Sequence, residues 1–300
     1  MSVKKRVAVI GYGNVGLHCV QAVQASPDLE LAGVVRRDPS VRPEELGRIP
    51  VVADVGELGK VDGALLACPT RMVAATAKTL LERGIATSDS FDIHGAPLLE
   101  LRKELGAAAQ AGKTAAVISA GWDPGTDSMV RALLELMAPR GVTFTNFGPG
   151  MSMGHTVAAK AVPGVRKALS MTLPAGQGIH RRAVYVELES GASPAEVEAA
   201  IRADAYFAND ETRVHFVDDV ERRMDVGHGV VIERKGVSGI THNQGFRFEM
   251  RIQNPALTSQ VMVSALRAAM RQRPGCYTML EIPLLDFLPG DRERWVRELV

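Results

Sequence analysis

The sequence predicts an α/β protein with a doubly wound parallel sheet in its first half and an α+β domain with an open mixed sheet in its second. In roughly the first 125 residues, short apolar runs alternate with helical stretches, the rhythm of βαβ units. Beyond Pro149, strand-like segments follow one another with a single clear helix among them, which indicates an α+β domain. We therefore predict a first domain over residues 1–123, a second over 124–252, and a C-terminal helix and tail over 253–300 that returns to the first domain.

Local sequence features predict each strand and helix of the first half. The predicted strands are apolar runs: Arg6–Ile10, Leu29–Val35, Val61–Ala67, Ile85–Ser90 and Thr114–Ser119. The helices predicted between them are Asn14–Ala25, Arg71–Arg83 and Pro97–Ala111. Pro27 ends the first helix, because proline disfavours helical geometry in the residue before it, and Gly84 ends the second.

The second half is predicted to contain five strands and two helices. The strands are Val165–Leu173, Ala183–Leu188, Arg213–Val217, Val230–Lys235 and Gly245–Ile252. Ser193 predicts the start of a helix as its N-cap, with Pro194 in the first turn and Glu196 near the positive end of the helix dipole. A long amphipathic helix over Leu257–Arg273 and the apolar tail Cys276–Leu288 follow.

Charge and cysteine content exclude several classes of protein. Lys and Arg number 35 and Asp and Glu 34, a balance that argues against a nucleic-acid partner or a membrane surface. No apolar run approaches the ~18 residues of a membrane span, and too few apolar residues follow MSVKKR for a signal peptide. The three cysteines form no CxxC pair and the seven histidines no HExxH spacing, so we expect a cytoplasmic protein without a metal site.

The turn after the first strand has the spacing GxGxxG, in Gly11-Tyr12-Gly13-Asn14-Val15-Gly16. The first glycine permits a tight turn, the second lets the backbone approach a pyrophosphate, and the third lets helix and strand pack closely. The following helix offers its N-terminal N–H groups and positive dipole end to the anion. In this strand–turn–helix context the motif predicts a Rossmann-type dinucleotide-binding domain; a purely structural turn is the alternative.

The end of the second strand indicates which dinucleotide binds. An NAD site usually places an acid there to bind the ribose 2′-hydroxyl, whereas this chain has Arg36 and Arg37. Two guanidinium groups suit a 2′-phosphate, because arginine pairs with phosphate through two parallel hydrogen bonds. We predict NADP as cofactor; a solvated basic loop is the alternative, and Asp38 leaves some use of NAD open.

Two carboxylates are predicted at the carboxyl ends of neighbouring strands, where a dehydrogenase needs its substrate groups. Asp92 follows the strand that ends near Ser90, and Asp123 lies in the segment GWDPG at 121–125. The pair could hold an ammonium group or orient a water. Each could instead cap a helix, since both precede helical segments and aspartate is favoured at N-caps.

A series of motifs beyond the glycine turn gives the chain a family resemblance. VAVIGYGNVG, SFDIHG around Asp92, AGWDPG at 120–125 and FGPGMSMGHT at 147–156 are followed by TLP at 172–174, HRR at 180–182, GHG at 227–229 and QNP at 253–255. These motifs extend over nearly the whole chain. In them the chain resembles the meso-diaminopimelate dehydrogenases, which are NADP-dependent D-amino-acid dehydrogenases of bacterial lysine biosynthesis. The resemblance implies reversible oxidative deamination of meso-diaminopimelate at its D-centre to L-2-amino-6-oxopimelate and ammonia, in a homodimer or larger homo-oligomer.

The resemblance also implies roles for single residues. Asp92 and Asp123 align with acids at the reacting D-centre, where one binds the amine and helps with proton transfer. Thr172, Arg182 and His228 align with a clamp on the distal L-centre carboxylate, and Asn254 with a further polar contact at that end. The walls of the substrate site align with Trp122, Phe147, Met153 and Gly154. Segments along the cofactor align with Ala67, Cys68, Pro69, Thr70, Ser90, Phe91, Gly121 and Pro124.

Several alternatives stay open at this point. Phe147 and Cys68 depart from some members of the family, which leaves the breadth of substrates open. Arg182 could be a solvated charge on a strand face, Thr172 a structural residue and His228 a core histidine. Two other functions also stay open: another NADP-linked reductase of the same fold, and a non-catalytic NADP-binding sensor that has lost the chemistry.

Overall fold

The computed structural model describes residues 3–92, 95–224 and 227–300, which divide into two compact units. The first unit takes in Met1–Ala132 together with Pro255–Val300, and the second takes in Leu133–Asn254. Among the described helices, none is long and apolar enough to cross a lipid bilayer.

A seven-stranded parallel sheet forms the centre of the first unit. In chain order its strands are β1 Lys5–Ile10, β2 Leu29–Val35, β3 Val51–Val52, β4 Gly63–Leu66, β5 Ala86–Asp89, β6 Ala115–Val117 and β14 Gly275–Tyr277. Across the sheet their order is β14-β6-β5-β4-β1-β2-β3, so the chain winds outward from β1 in both directions. The alternating pattern of the sequence predicts this doubly wound sheet, and β3 and β14 are additional edge strands.

Helices cover both faces of this sheet. They are α1 Asn14–Ala25, α2 Thr70–Glu82, α3 Ala96–Ala111, the first part of α4 Thr126–Met137 and α7 Asn254–Ala269, while the C-terminal helix α8 Arg292–Leu299 buries no residue. Because successive side chains of a strand point to opposite faces, β1 places Val7 and Val9 in one core and Ala8 in the other. α1 and α7 pack into the first core, and α2 and α3 into the second, so both faces are buried as a parallel sheet requires.

The second unit contains two sheets where the sequence predicts one. Its strands are β7 Arg140–Phe147, β8 Gly150–Met151, β9 Val165–Gly176, β10 Ile179–Leu188, β11 Glu211–Phe216, β12 Gly227–Ser238 and β13 Thr241–Gln253. One sheet is mixed, with the order β11-β10-β9-β8, and the other is antiparallel, with the order β13-β12-β7. Two helices, α5 Met153–Lys160 and α6 Pro194–Ala203, share a core with β9 and β10.

The prediction of a single helix among the strands of this half is wrong, because a second helix, α5, follows β8 almost directly. Its eight residues span little more than two turns, too few to display a helical period. β7 and β8 were also absent from the predicted strands. β7 is exposed over its first three residues and shows no alternation of buried and exposed positions there, so it lacks the usual strand pattern.

Candidate active site

The glycine-rich turn leaves space for a ligand at one of its three glycines. A Cβ on Gly16 would lie 2.4 Å from the Gly11 carbonyl oxygen, and a Cβ on Gly11 would lie 2.4 Å from that of Ala67. Gly11 also has a φ of 96°, which favours glycine. A Cβ on Gly13 would meet no heavy atom within 4 Å. The backbone at Gly13 is therefore open beside the N-terminus of α1, which is what the approach of a pyrophosphate requires.

An open cleft of about 590 Å³ extends from this turn to the end of β2. Its lining includes eight of the residues that the sequence predicts for the cofactor: Gly11, Tyr12, Gly13, Arg36, Arg37, Ala67, Cys68 and Pro69. Asn14 and Val15 continue from the turn into α1, and Thr70 begins α2 directly after the cleft. A concave surface that starts at a glycine-rich turn and ends at two arginines fits a phosphorylated dinucleotide.

Two arginines and an aspartate, Asp38, lie at the β2 end of the cleft. The half-buried Arg36 donates to the Val41 carbonyl oxygen, whereas Arg37 is exposed. Asp38 accepts hydrogen bonds from the N–H and the hydroxyl of Ser40, at 3.0 and 2.6 Å, and these bonds lower the pKa of Asp38. The carboxylate of Asp38 is thus engaged within its own turn, and the nearby guanidinium groups are donors suited to a phosphate.

Cys68 lines the same cleft as a neutral thiol. Burial, and secondly the charge of Asp89, raises the pKa of Cys68 to about 11. Because the thiolate and not the thiol is the nucleophile, a side chain with this pKa is a poor nucleophile at neutral pH. The position favours contact with a cofactor over covalent chemistry.

Asp89, the last residue of β5, joins the two loops that carry the predicted acids. Its Oδ1 accepts hydrogen bonds from the N–H groups of Phe91 and Ser119, at 2.9 and 3.1 Å. Its carbonyl oxygen accepts from the N–H of Ala120 at 2.7 Å. Asp89 is completely buried, and burial raises its pKa to about 6. Sequence reasoning missed this residue, although a carboxylate within a predicted strand was an available signal.

Asp92 lies on the first of these loops, three residues beyond the end of β5. It is exposed, and one carboxylate oxygen accepts a hydrogen bond of 2.6 Å from the hydroxyl of Thr70. The N-cap of α3 is Gly95, so the alternative that Asp92 caps this helix is wrong. Between Asp89 and Asp92, Ser90 is half-buried and Phe91 is buried. A carboxylate fixed at one oxygen and exposed to solvent is suited to bind a cationic ligand.

Asp123 lies on the second loop, in a turn that is closed on itself. The N–H of Gly121 donates to the Pro124 carbonyl oxygen at 2.9 Å, and a Cβ on Gly125 would lie 1.9 Å from the Gly121 carbonyl oxygen. The carboxylate of Asp123 is largely buried and accepts a hydrogen bond of 2.8 Å from the guanidinium of Arg131. α4 begins only after Gly125, so Asp123 does not cap it.

Asp127, in the first turn of α4, is completely buried close to Asp123. Neither of its carboxylate oxygens has a hydrogen-bond partner in the part of the chain that the structure describes. Burial, and secondly the negative charge of Asp123, raises the pKa of Asp127 to about 7, while Arg131 opposes this rise. Sequence reasoning missed Asp127; its four-residue spacing from Asp123 and from Arg131 was the available signal.

In the second unit, Thr172 on β9 lies directly opposite Arg182 on β10. The guanidinium of Arg182 donates to the Thr172 hydroxyl and, from Nε at 2.6 Å, to the carboxylate of Asp210. Thr172 is buried and Arg182 is 13% exposed, so the alternative of a solvated charge on a strand face is wrong. Asp210 was absent from the predicted site.

β8 connects this pair to His228. Gly150 on β8 is paired with Thr172, and a Cβ on Gly150 would lie 2.5 Å from the Cα of His228. His228 is buried, and its Nδ1 accepts a hydrogen bond of 2.8 Å from the N–H of Gly229. On the neighbouring strand, Asn254 follows directly after β13 and is also buried. A hydroxyl, a guanidinium, an imidazole and an amide therefore occupy one region of the second unit.

The remaining predicted wall residues are distributed over both units. Trp122 is buried beside Asp123 in the first unit. In the second unit the N–H of Phe147 donates to the Nε2 of His180 at 2.8 Å, and Met153 and Gly154 form the first turn of α5. The structure thus groups the two acids with the dinucleotide cleft in one unit and the four polar clamp residues in the other.

Comparisons with known proteins match this chain to dehydrogenases of diaminopimelate and D-amino acids. Residues 121–181 match the family model of the diaminopimelic acid dehydrogenase C-terminal domain. The chain is 58% identical over 298 residues to a meso-diaminopimelate D-dehydrogenase of Bacteroides fragilis, with 99% of each chain covered. The solved structure of C. glutamicum diaminopimelate dehydrogenase in complex with diaminopimelate matches all of both chains at 26% identity and a TM-score of 0.90. An engineered D-amino acid dehydrogenase bound to NADP⁺ matches 99% of this chain and 100% of its own at 26% identity and a TM-score of 0.86. The chain belongs to the meso-diaminopimelate D-dehydrogenase family.

Proposed function

We propose that this chain catalyses the reversible NADP-dependent oxidative deamination of meso-2,6-diaminopimelate at its D-centre. Substrate, water and NADP⁺ give L-2-amino-6-oxopimelate, ammonium, NADPH and a proton. One observation carries the proposal: two acids follow neighbouring strands of the unit that holds the dinucleotide cleft, and Asp89 ties their loops together. Membership of the family supports the same reaction.

The two acids act at the amino group that is lost. Asp92 and Asp123 bind the D-centre ammonium, since a carboxylate accepts charge-assisted hydrogen bonds from a cation. The amine must give up a proton before its lone pair can assist departure of the hydride, and a carboxylate within hydrogen-bond distance can accept that proton. NADP⁺, when bound, supplies the acceptor for the hydride. Thr70 and Arg131 hold the two carboxylates in fixed positions.

The polar cluster of the second unit binds the carboxylate at the other end of the substrate. Thr172, Arg182 and His228 are donors to an anion, and Asn254 adds an amide donor. Arg182 carries the positive charge of the cluster, so we assign it the largest share of the binding. Trp122 and Phe147 provide apolar walls for the carbon chain.

NADP is the proposed cofactor in preference to NAD. Arg36 and Arg37 offer two guanidinium groups at the β2 end of the cleft, where the ribose 2′-phosphate binds in a dinucleotide fold. Asp38 is the acid that would favour NAD, but its carboxylate is bound to Ser40.

We also propose that the chain forms a homodimer or a larger homo-oligomer through the sheet of the second unit. β13 is an edge strand of 13 residues, and Phe246, Phe248, Met250 and Ile252 alternate along one face of it while only half-buried. A second copy of the chain would cover this apolar face. Multi-angle light scattering measures the assembly, and Phe248→Glu should dissociate it; a wild-type monomer would contradict the proposal.

NADPH formation, followed by absorbance at alkaline pH, tests the reaction. The substrates are meso-, LL- and DD-diaminopimelate and D-alanine, each with NADP⁺ and with NAD⁺. We expect rapid turnover of the meso isomer with NADP⁺, little with the LL isomer, and poor turnover of D-alanine, which lacks the distal carboxylate. No turnover of any isomer despite tight NADPH binding would point to a sensor. Strong activity on D-alanine would agree with the proposed oxidative deamination but would contradict the proposed substrate.

Arg182→Ala tests the assignment of the clamp. It should mainly raise the KM for meso-diaminopimelate, because it removes a binding contact and leaves the reacting end unchanged. Arg181→Ala is the matched control, since Arg181 is an exposed neighbour that pairs with Glu211 at 2.7 Å. A fall in turnover at unchanged KM would show that the assignment is wrong.

A further inference from the structure

A carboxylate lies against the guanidinium that the proposed function assigns to the distal substrate carboxylate. Asp210 accepts a hydrogen bond of 2.6 Å from the Nε of Arg182, and its side chain is 24% exposed. The hydroxyl of Thr212 donates to the Asp210 carbonyl oxygen at 3.2 Å and so fixes the backbone just before β11. Hydrogen bonds therefore hold Asp210 in this cluster, although no sequence motif includes it.

Each partner of the ion pair keeps atoms for a further ligand. The guanidinium of Arg182 uses Nε for Asp210 and Nη1 for Thr172, and in the described parts of the chain its Nη2 has no hydrogen-bond partner. The same holds for Oδ1 of Asp210, since only Oδ2 contacts the arginine. A donor and an acceptor of opposite charge thus lie side by side, each with capacity for one more contact.

The two imidazoles beside this ion pair add no charge to it. Burial, and secondly the positive charge of Arg182, lowers the pKa of His155 to about 4, and the same causes lower the pKa of His180. Both imidazoles are therefore neutral at neutral pH. Asp204 also faces His155, while its Oδ1 accepts the N–H of Tyr206 at 2.8 Å.

This arrangement is unfavourable for a simple carboxylate and favourable for a zwitterion. A ligand that carries only a carboxylate gains contact with Arg182 but meets repulsion from Asp210. An α-amino acid group places an ammonium next to its carboxylate and so matches both charges. The non-reacting L-centre of diaminopimelate is such a group.

We infer that Asp210 binds the ammonium group of the L-centre, and that Asp210 and Arg182 together form a receptor for a zwitterionic α-amino acid end. The inference rests on the proposed function. It assigns to Asp210 the discrimination between diaminopimelate and diacids that lack the second amino group. An alternative role for Asp210 is to position Arg182, and the choice of substrates separates the two roles.

The test compares meso-diaminopimelate with D-2-aminopimelate, which keeps both carboxylates and the D-centre amine but lacks the distal amino group. Asp210→Asn removes the charge at similar size. We expect its kcat/KM for meso-diaminopimelate to fall roughly 10- to 100-fold, the value of a charge-assisted hydrogen bond, and its kcat/KM for D-2-aminopimelate to stay the same or rise. Glu211→Gln, which changes the adjacent carboxylate and its surface ion pairs with Arg181 and Arg213, is the control and should leave both values unchanged.

Each other outcome overturns the inference. Equal falls with both substrates would make Asp210 a positioning residue for Arg182, and unchanged values with both would remove it from the site. Asp210→Ser, tested by the same pair of substrates, provides a second variant if the asparagine variant fails to fold. A wild-type enzyme inactive on both substrates would contradict the proposed function itself, and the assignment of Asp210 would fall with it.

Discussion

The buried carboxyl of Asp127 should make the stability of the protein depend on pH. Its pKa is raised from 3.8 to about 7, mainly by burial. The folded protein therefore keeps a proton that the unfolded chain releases at lower pH. The contribution of this protonated carboxyl to the stability of the fold is fully present at low pH, and it is lost as the pH rises from about 4 to about 7. A rise of about three units corresponds to at most about 4 kcal/mol in the free energy of unfolding.

Asp127→Asn tests this reasoning, because the amide has nearly the size of the carboxylic acid but cannot ionise. At about pH 4 and below, the variant and the wild type should have similar free energies of unfolding. At about pH 8 the variant should be the more stable by up to about 4 kcal/mol.

Urea denaturation across this pH range measures the difference. Asp219→Asn, which changes an exposed carboxylate paired with Arg222, should show a constant difference from the wild type. If the curves of Asp127→Asn and the wild type run parallel from about pH 5 to about pH 8, the buried carboxyl does not titrate as argued.

Two further predictions concern the dinucleotide site. Changing Arg36 and Arg37 together to glutamine should weaken the binding of NADP⁺ far more than the binding of NAD⁺, as measured by fluorescence titration. Equal losses of affinity for the two dinucleotides would mean that these arginines do not bind the 2′-phosphate. Gly16→Ala should destabilise the fold, because its Cβ would lie 2.4 Å from the Gly11 carbonyl oxygen. Gly13→Ala should keep the melting temperature and lose dinucleotide affinity, since its Cβ meets only open space. A normal affinity of the Gly13 variant would contradict the proposed approach of the pyrophosphate.

The first half of the fold was predictable because its signals are local. The prediction of Asn14–Ala25 as a helix is confirmed to the residue, with a glycine turn before it and Pro27 just after it. The strand Leu29–Val35 is confirmed in the same way. The edge strand β14 has only three residues, and its pairing with β6 joins segments that are far apart in the chain, so no local pattern announces it.

The second half was predicted less well for a physical reason. Whether neighbouring strands share one sheet or divide into two depends on pairing between distant residues, and the alternation within a strand does not encode that choice. The helix α5 is stabilised by its packing against β9, through Ala159 and Ala168 among others, and not by any cap or acid at its start. Short helices of this kind depend on tertiary contacts, which a single sequence does not display.

Three carboxylates of the candidate site were missed for the same reason. Asp89 gains its role from an N–H 30 residues away, and Asp210 from a guanidinium 28 residues away. Asp127 is unusual only because it is buried without a partner among the described residues. Motifs identify side chains that ligands require, whereas these carboxylates are defined by what the fold places beside them.

The polar cluster around Arg182 shows how a carboxylate that no motif predicts can change the specificity of a site. From the sequence, Arg182 with a threonine, a histidine and an asparagine is a receptor for an anion. With Asp210 in contact, the cluster has no net charge but a strong separation of charge, because the nearby imidazoles are neutral at neutral pH. Such a cluster gains little from a plain carboxylate and more from an ammonium and a carboxylate together. We therefore expect the preference of this enzyme for a substrate with two amino-acid ends to depend on Asp210 as much as on Arg182.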